Sequence, residues 1–368
     1  MAATISATDA ELTLPINAVM QEQFFLRQAS AELVYMTGTK SSMMKKYEGT
    51  KTVMWRRVGA LTPSTTALSE QTTTAAFFGG RDSDATSVTN VTAALSKYGK
   101  TVTLSEEAEI YSPKQQKAEV LLSLAICAGA SLNYLQRDIV DDGATTIVRA
   151  GAAASTGAIV SKITSSSIEK VLLNLLAQKA RVFNPMTKGD TREGTAPIQR
   201  SYWLICHNHV GYDISRMAGF KDVITYAGQV KTVPGEFGML SANGVGVRCI
   251  QTSEGTVDAN AGGSVTGTGL RSTGGSVIDI YTTAIYGQDA LGSVGLGSAF
   301  GDGIYTVEGV DSLPGNIEII EKALGSGGTS DPLNEISTMS YKFFHGGAVL
   351  NQNWVNVIKS GATDVTGA

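Results

Sequence analysis

Two histidines and a cysteine stand close together in the sequence and could coordinate a metal ion. They lie in the stretch CHNH, Cys206–His209, and imidazole and thiolate are the ligands that zinc prefers. Side chains alternate along a strand, so His207 and His209 would share one side while Cys206 points to the other. No second ligand cluster follows at a zinc-site spacing. We therefore expect two hydrogen-bonded histidines at the edge between a strand and a turn, without a metal site.

Three carboxylates in the stretch LSEEAEI could work as a general acid and base. Glu106, Glu107 and Glu109 stand directly before a long helical pattern. A perturbed pKa, which acid–base catalysis needs, is not indicated by their types or spacing alone. The sequence favours a solvated face at the start of the helix over an active site.

Two arginines beside a tryptophan could bind nucleic acid. Arg56 and Arg57 follow Trp55 in a stretch rich in strand-forming residues, and such side chains can stack on bases. One short pair without a surrounding basic field favours a surface strand that makes ion pairs between subunits.

The glycine-rich stretch GSGGTSDPL, which begins at Gly325, could cradle a phosphate. It has no lysine at the phosphate-loop position, and alternating strand-forming residues follow it. Asp331 stands before a proline, which favours an extended or turn conformation at that residue. We expect Gly325–Gly328 to form a structural turn that Asp331 closes. A second stretch, Gly295–Gly303, departs from the dinucleotide-binding pattern at Phe300. No catalytic, cofactor-binding or metal residues are therefore assigned, and the chain is not expected to be an enzyme.

Composition narrows the class of protein. The chain has 368 residues and a formal net charge of -4, which does not fit a strong sequence-specific DNA binder. Cys127, Cys206 and Cys249 are few and far apart, so free thiols are expected rather than disulfides. The N-terminus lacks the pattern of a secretory signal, and no run approaches ~20 apolar residues. We expect no membrane partner.

The first third of the chain has the pattern of an arm followed by a long hairpin. Apolar pairs at helical spacing over Asn17–Met36 indicate a short helix within an extended arm. Two strand-forming stretches, Lys51–Leu61 and Val88–Leu104, flank a long polar segment. The pattern predicts a projecting hairpin whose tip is about 62–87.

Two helices are then predicted. Ser112 and Pro113 are a suitable N-cap and first-turn pair for a helix of about 28 residues, roughly 42 Å long. Leu121, Leu132 and Leu135 are expected on its buried face. A second helix is predicted from Ser166, with Glu169 completing a capping box, to Asn184–Pro185.

The remainder reads as an α+β unit followed by C-terminal strands. Strands are predicted at SYWLICH, GVGVRCIQTS and SVIDIYTTAIYG, with a short helix at HVGYDISRMAGF and a low-complexity loop at 253–275. Strands are also predicted at Thr338–Phe344, with Met339, Tyr341 and Phe343 on one face, and at Ala348–Ile358. The glycines of His345–Gly347 are expected to bend the chain between them.

The C-terminal segment KALGSGGTSDPLNEISTMSYKFFHGGAVLNQNWVNVI resembles the signature of major capsid proteins of tailed bacteriophages, in the family typified by the phage N-four coat protein. The matching positions are Lys322, Gly325–Gly328, Asp331–Leu333, Lys342, Phe343–Phe344, Leu350–Asn351 and Trp354. Shorter pieces resemble the family in the same order: KTVMWRRVGAL with ALSEQ, VTNVTAALSKYGKTVTLSEEAEI, LQRDIV, GEFGML with GVGVRCIQT, and AIYGQDALGSV. The 253–275 loop, Gln71 and ATTIVRAGAAASTGAIV depart from the pattern.

This resemblance implies the α+β Hong Kong-phage capsid fold, with an N-terminal arm, an extended hairpin (E-loop), a peripheral domain with a long spine helix, and an axial domain. It assigns 1–50 to the arm, 51–105 to the hairpin, 106–194 and 311–368 to the peripheral domain, and 195–310 to the axial domain. The implied function is a subunit of the icosahedral shell around a phage genome.

The implied partners are other copies of the chain in hexamers and pentamers. Scaffold, portal and decoration proteins are implied as well, with packaged double-stranded DNA inside and no cofactor. The protein would be found in the virion after assembly in the host cytoplasm. Two alternatives stay open: an enzyme with an unrecognised Asp/Glu site, and a self-assembling surface-layer-like protein.

Overall fold

The structure, a computed structural model, describes most of the chain after its first 32 residues. The described residues are 33–44, 49–63, 65, 85–111, 116–183, 199–226, 233, 235–242, 244–296, 305–307, 310–313, 317–327 and 331–365. The predictions for the arm helix, the hairpin tip, Ser112–Pro113 and Asn184–Pro185 lie wholly or mostly outside them.

The described elements are mainly strands, with four α-helices. The first strands are β1 (Lys40–Met44), β2 (Thr52–Val58), β3 (Val88–Ala94), β4 (Ser96–Ser105), β5 (Thr146–Arg149), β6 (Ser201–His207), β7 (Phe220–Asp222), β8 (Glu236–Ala242) and β9 (Val245–Thr252). The others are β10 (Val257–Asp258), β11 (Ile280–Tyr286), β12 (Leu291–Leu296), β13 (Tyr305–Val307), β14 (Val310–Leu313), β15 (Glu318–Lys322), β16 (Ile336–Val349) and β17 (Val355–Ser360). The helices are α1 (Glu106–Tyr111), α2 (Gln116–Gly143), α3 (Ser165–Ala177) and α4 (Asn208–Ser215). This mixture confirms the predicted α+β class.

The fourteen-residue strand β16 organises a five-stranded sheet. Its first part pairs antiparallel with both β4 and β15, and its last part pairs with β12, which carries β1. Met339, Tyr341 and Phe343 are buried on one face of β16, which confirms the alternation predicted from the sequence. These side chains form one cluster with the long helix α2.

Helix α2 is the predicted long helix, and it is 28 residues long. Leu121 and Leu132 are buried and Leu135 is partly buried against the same cluster, which confirms the assigned helical face. By length and composition, Lys117–Gly143 would be able to cross a membrane. The prediction from the sequence, which required an uninterrupted apolar run, did not include this. Here its apolar stripe packs against β16, so a place in the core accounts for its hydropathy.

The glycines of His345–Gly347 do not bend the chain as predicted, because β16 continues through them to Val349. A Cβ at Gly346 would lie 2.5 Å from the carbonyl oxygen of Ala94, and one at Gly347 would lie 2.6 Å from Cδ1 of Ile139. These glycines let β16 approach the base of the hairpin on one side and α2 on the other. Close packing, rather than a turn, requires them.

The second sheet has eight strands in the order β5-β17-β11-β6-β9-β8-β7, with β10 beside β11. Strands β6, β9 and β11 and helix α4 confirm the elements predicted for this region, although β11 begins only at Ile280. Strands β5 and β17 and helix α3 also belong to this sheet and its core. They come from the segments that the resemblance assigns to the peripheral domain, and that assignment stays a prediction.

Helix α3 differs from the prediction at both ends. Its N-cap is Thr164 and makes no side-chain capping bond, so the capping box of Ser166 and Glu169 was wrong. The helix ends at Ala177, and Lys179 has a left-handed backbone with φ 52°. A residue in this conformation stops a helix at its C-terminal end, so Lys179 lies beyond the helix.

Candidate functional site

The two neighbouring histidines belong to a helix cap. His207 is the N-cap of α4, and its Nδ1 accepts a hydrogen bond from the backbone N–H of His209 at 3.1 Å. Nδ1 of His209 lies 2.9 Å from the hydroxyl oxygen of Tyr281, while the thiol of Cys206 donates to the carbonyl of Ile250. Burial, then the neighbouring His209 and Arg271, lowers the pKa of His207 to about 4. Both rings are hydrogen-bonded, as expected.

The third histidine, His345, is buried in β16. Neither of its ring nitrogens has a hydrogen-bond partner within the described residues. Burial lowers its pKa to about 4, so the ring is neutral near neutral pH. Over the same part of the chain, no group of three or more His, Cys, Asp or Glu side chains is placed to hold a metal ion.

The carboxylates before the long helix make structural contacts. Glu109 accepts a hydrogen bond from the Ser337 hydroxyl at 2.6 Å and lies 3.6 Å from the ammonium of Lys117. Glu106 is partly exposed and Glu107 is exposed. The three side chains lie on the short helix α1, where Glu109 ties the start of α2 to β16.

Asp331 closes a turn, as predicted. Its Oδ1 accepts from the backbone N–H of Glu335 at 3.1 Å and its Oδ2 from that of Ile336 at 2.9 Å. The residue is buried, and Gly325 in the preceding turn has φ 86°. Both carboxylate oxygens therefore organise the start of β16.

Strands β2 and β3 form the predicted hairpin stem, in a two-stranded sheet of their own. One face turns toward the body of the subunit: Ala93 is buried, and Trp55 packs beside Gly292 of β12. Nη1 of Arg57 donates to Oδ1 of Asn351 at 2.9 Å. The inner face of the hairpin stem is therefore held on its own subunit.

Apolar side chains remain uncovered on the outer face of the same hairpin and just beyond it. Val58 and Val88 face each other in the register and are 59% and 41% exposed. Met54, on the outer face of β2, is 59% exposed, and Leu61 beyond the strand is 54% exposed. We call these four residues the hairpin surface. Grouped apolar residues on a projecting element are typical of a contact with another protein.

A buried ion pair was missed in the sequence. The side chains of Glu236 and Arg248 are 0% and 3% exposed, and Nε of Arg248 lies 2.6 Å from Oε1 of Glu236. Glu236 also accepts from the hydroxyl of Tyr226 at 2.7 Å and from the backbone N–H of Val233 at 3.0 Å. The available signal was a lone arginine within the apolar strand VGVRCIQT.

A polar junction joins α2 to the segment after β9. Asn133 accepts from the backbone N–H of Tyr35 at 2.8 Å and donates to the carboxylate of Glu254. Near the end of the helix, the hydroxyl of Thr256 donates to Asp141. Burial is the main cause that raises the pKa of Asp141 to about 6. Asn133 and Asp141 are polar positions on the largely apolar helix α2. Through them, the junction connects the helix on the five-stranded sheet to the segment after β9 of the eight-stranded sheet.

Comparison with known proteins identifies similar solved structures but no matching sequence family. No family model matches the chain, and no curated protein matches its sequence. Among solved structures, it is similar to the capsid of Ralstonia phage GP4, with a TM-score of 0.61 and 9% identity over 90% of this chain and 89% of that one. It is also similar to the capsid of Cyanophage P-SCSP1u, with a TM-score of 0.53 and 11% identity over 90% and 89%.

A third similar structure is the head of Helicobacter pylori bacteriophage KHP40, with a TM-score of 0.52 and 12% identity over 88% of this chain and 90% of that chain. The chain therefore has the fold of phage capsid proteins, the Hong Kong-phage fold that the sequence resemblance implied. The narrower assignment to the family typified by phage N-four stays a prediction.

Proposed function

We propose that this protein is the major subunit of the icosahedral shell of a tailed bacteriophage. The observation that carries the proposal is the β2–β3 hairpin, which is anchored on its own subunit at Arg57 while the hairpin surface stays uncovered. An element that is fixed along its inner face and apolar on its outer face is suited to contact a neighbouring copy. Rotational symmetry repeats one such contact around a closed ring.

In this proposal the copies form hexamers and pentamers, and the eight-stranded sheet lies in the axial domain near the centre of each ring. The five-stranded sheet and α2 form the peripheral domain, and the arm and the hairpin reach other subunits. Scaffold, portal and decoration proteins are the expected partners. The shell encloses double-stranded DNA without reading its sequence, in keeping with the net charge of -4. Assembly takes place in the host cytoplasm and the product is the virion.

Neither alternative has a comparable observation behind it. Of the glutamates considered for an enzyme, Glu109 makes structural contacts with Ser337 and Lys117, and Glu107 is exposed. The fold shared with phage capsids supports a shell over a surface layer. The expected role is therefore structural and not enzymatic.

Shortening the hairpin tests the proposal. Residues 62–85 would be replaced by a short turn that preserves the hydrogen bond from Gly59 N–H to the Ser87 carbonyl. Because shortening a loop perturbs a core little, the variant should fold with unchanged thermal stability but form no shells. Normal shells from this variant, seen by electron microscopy, would remove the hairpin from the assembly mechanism.

A further inference from the structure

A basic cleft lies at the C-terminal end of α3, and no residue of the hairpin surface lines it. Its volume is about 630 Å³. It is lined by Leu176, Lys179, Ala180, Arg181, Val182, Arg200, Tyr202 and Gln288. The lining combines three cations with an apolar wall, and nothing in the proposed shell contacts accounts for that combination.

The three cations are exposed at the cleft. Nη1 of Arg181 lies 3.2 Å from Oδ2 of Asp289, with which it forms an ion pair. Within the described residues, Lys179 and Arg200 have no ion-pair partner. In a chain with a net charge of -4, this is a local excess of positive charge, which attracts anionic ligands.

Backbone hydrogen bonds fix the frame of the cleft. The N–H of Ala180 donates to the Leu175 carbonyl at 2.9 Å, which places Lys179 in its left-handed conformation at the helix end. The hydroxyl of Tyr202 donates to the Ala180 carbonyl at 3.0 Å, and the N–H of Gln288 donates to the Arg181 carbonyl at 2.9 Å. The cations therefore project from a rigid rim, which lowers the entropic cost of binding a ligand.

Part of the lining is apolar and forms a wall of the cleft. Leu176 and Val182 are partly buried and pack against the core cluster of the eight-stranded sheet. A ligand that touched only the cations would leave this wall in contact with water. A ligand that matches both the cations and the apolar wall carries negative charge and an aliphatic group.

We propose that this cleft binds a short acidic peptide segment of a partner protein. Its carboxylates pair with Lys179 and Arg200, an aliphatic side chain covers Leu176 and Val182, and the amide of Gln288 hydrogen-bonds the peptide backbone. Nucleic acid fits less well, because a phosphodiester chain would leave the apolar wall uncovered. In addition, Tyr202 is 1% exposed and presents no ring face on which a base could stack.

Fluorescence anisotropy with the full chain tests this. The probe is a labelled peptide of alternating glutamate and leucine, compared with one of alternating lysine and leucine and with a labelled oligothymidylate. The double variant Lys179→Asn/Arg200→Gln removes two charges, and asparagine tolerates the backbone conformation at 179. Lys170→Gln, an exposed lysine on α3 outside the cleft lining, is the matched control.

The acidic peptide should bind in a salt-sensitive manner. The double variant should weaken its binding at least about tenfold, because two charge-assisted contacts are lost, while Lys170→Gln leaves it unchanged. Circular dichroism confirms that each variant is folded. The proposal is overturned if the acidic peptide does not bind, if the double variant binds it as well as the control does, or if the lysine peptide or the oligothymidylate binds more tightly. Shell formation is measured separately, so such a failure leaves the proposed function standing.

Discussion

The guanidinium of Arg57 donates a hydrogen bond to the side-chain oxygen of Asn351, with 2.9 Å between Nη1 and Oδ1. The two residues are 294 positions apart in the sequence. Arg57 belongs to the hairpin, and Asn351 also caps the short turn Gln352–Trp354 before β17. The contact sets the direction in which the hairpin leaves the subunit, so it should matter for assembly more than for folding.

Replacing Arg57 with alanine should therefore reduce shell formation with little effect on the subunit itself. The contact is exposed, and exposed polar contacts contribute about 0–1 kcal/mol to stability. Lys170→Ala, at an exposed position on α3 outside the hairpin, is the control. Light scattering during assembly and thermal denaturation of the subunit measure the two effects. A loss of assembly that is equal in both variants would argue against a role for the anchor.

Leu132→Ala should lower the free energy of unfolding by about 2–5 kcal/mol, because it leaves a cavity between α2 and β16. Ile126→Ala, at a position on the same helix that is 42% exposed, should lower the free energy of unfolding far less. Urea titration of both variants gives the two values. Equal losses would mean that the packed face of α2 is not the one described.

Asp331→Ala should lower the free energy of unfolding by about 0.5–2 kcal/mol, because the N–H groups of Glu335 and Ile336 lose their acceptors. Asp331→Asn keeps one acceptor oxygen and should lose less. Calorimetry of the two variants tests this order. Isothermal titration of the unmodified protein with phosphate and divalent metals should detect no saturable site that disappears in Asp331→Ala.

Breaking the buried ion pair should be among the most damaging single changes in the eight-stranded sheet. Glu236→Gln leaves the charge of Arg248 buried without its counter-ion, at a cost of about 3–5 kcal/mol. The double variant Glu236→Gln/Arg248→Met removes both charges and should recover part of that loss. A double variant that is less stable than Glu236→Gln in denaturant titration would contradict this account.

Asp141 should make stability depend on pH. Its Oδ1 is enclosed and unpartnered, although the residue as a whole is only partly buried, and burial raises its pKa from 3.8 to about 6. The folded chain therefore holds a proton that the unfolded chain releases between these values. This contribution is greatest below pH 4 and falls as pH rises to 6, by about 3 kcal/mol at most.

Asp141→Asn keeps an acceptor for Thr256 and removes the titration. We expect this variant to be more stable than the unmodified protein above pH 6, with the difference shrinking toward pH 4. Asp142→Asn, at the exposed neighbouring position, is the control. Unfolding free energies from urea titrations across this pH range test the expectation. A stability difference that does not change with pH would show that Asp141 is not the responsible group.

The local elements of this fold could largely be predicted from the sequence, and their long-range contacts could not. Periodicity identified the buried faces of α2 and β16, because each repeats a simple spacing of apolar residues. The order of short motifs indicated the capsid fold. The end of α3 was misplaced, since the left-handed Lys179 goes with backbone hydrogen bonds to the last helix carbonyls, of Leu175 and Leu176, that the residue type does not predict.

The glycines before Val349 were misread for a related reason. A glycine that permits close packing and one that permits a turn look the same in one sequence, and only the approach of Ala94 and Ile139 distinguishes them. The pairing of Glu236 with Arg248 likewise needs the register of β8 and β9. The sequence predicted a projecting hairpin. The pairing of the two exposed valines, Val58 and Val88, could be seen only from the strand register.

Electron microscopy of the purified protein under assembly conditions tests the central claim most directly. The chain, alone or with its scaffold, should form closed shells of uniform diameter whose reconstruction has icosahedral symmetry, with each hairpin lying over a neighbouring subunit. Dispersed monomers in every condition, or flat sheets without closure, would contradict the assignment of this chain as a phage shell subunit.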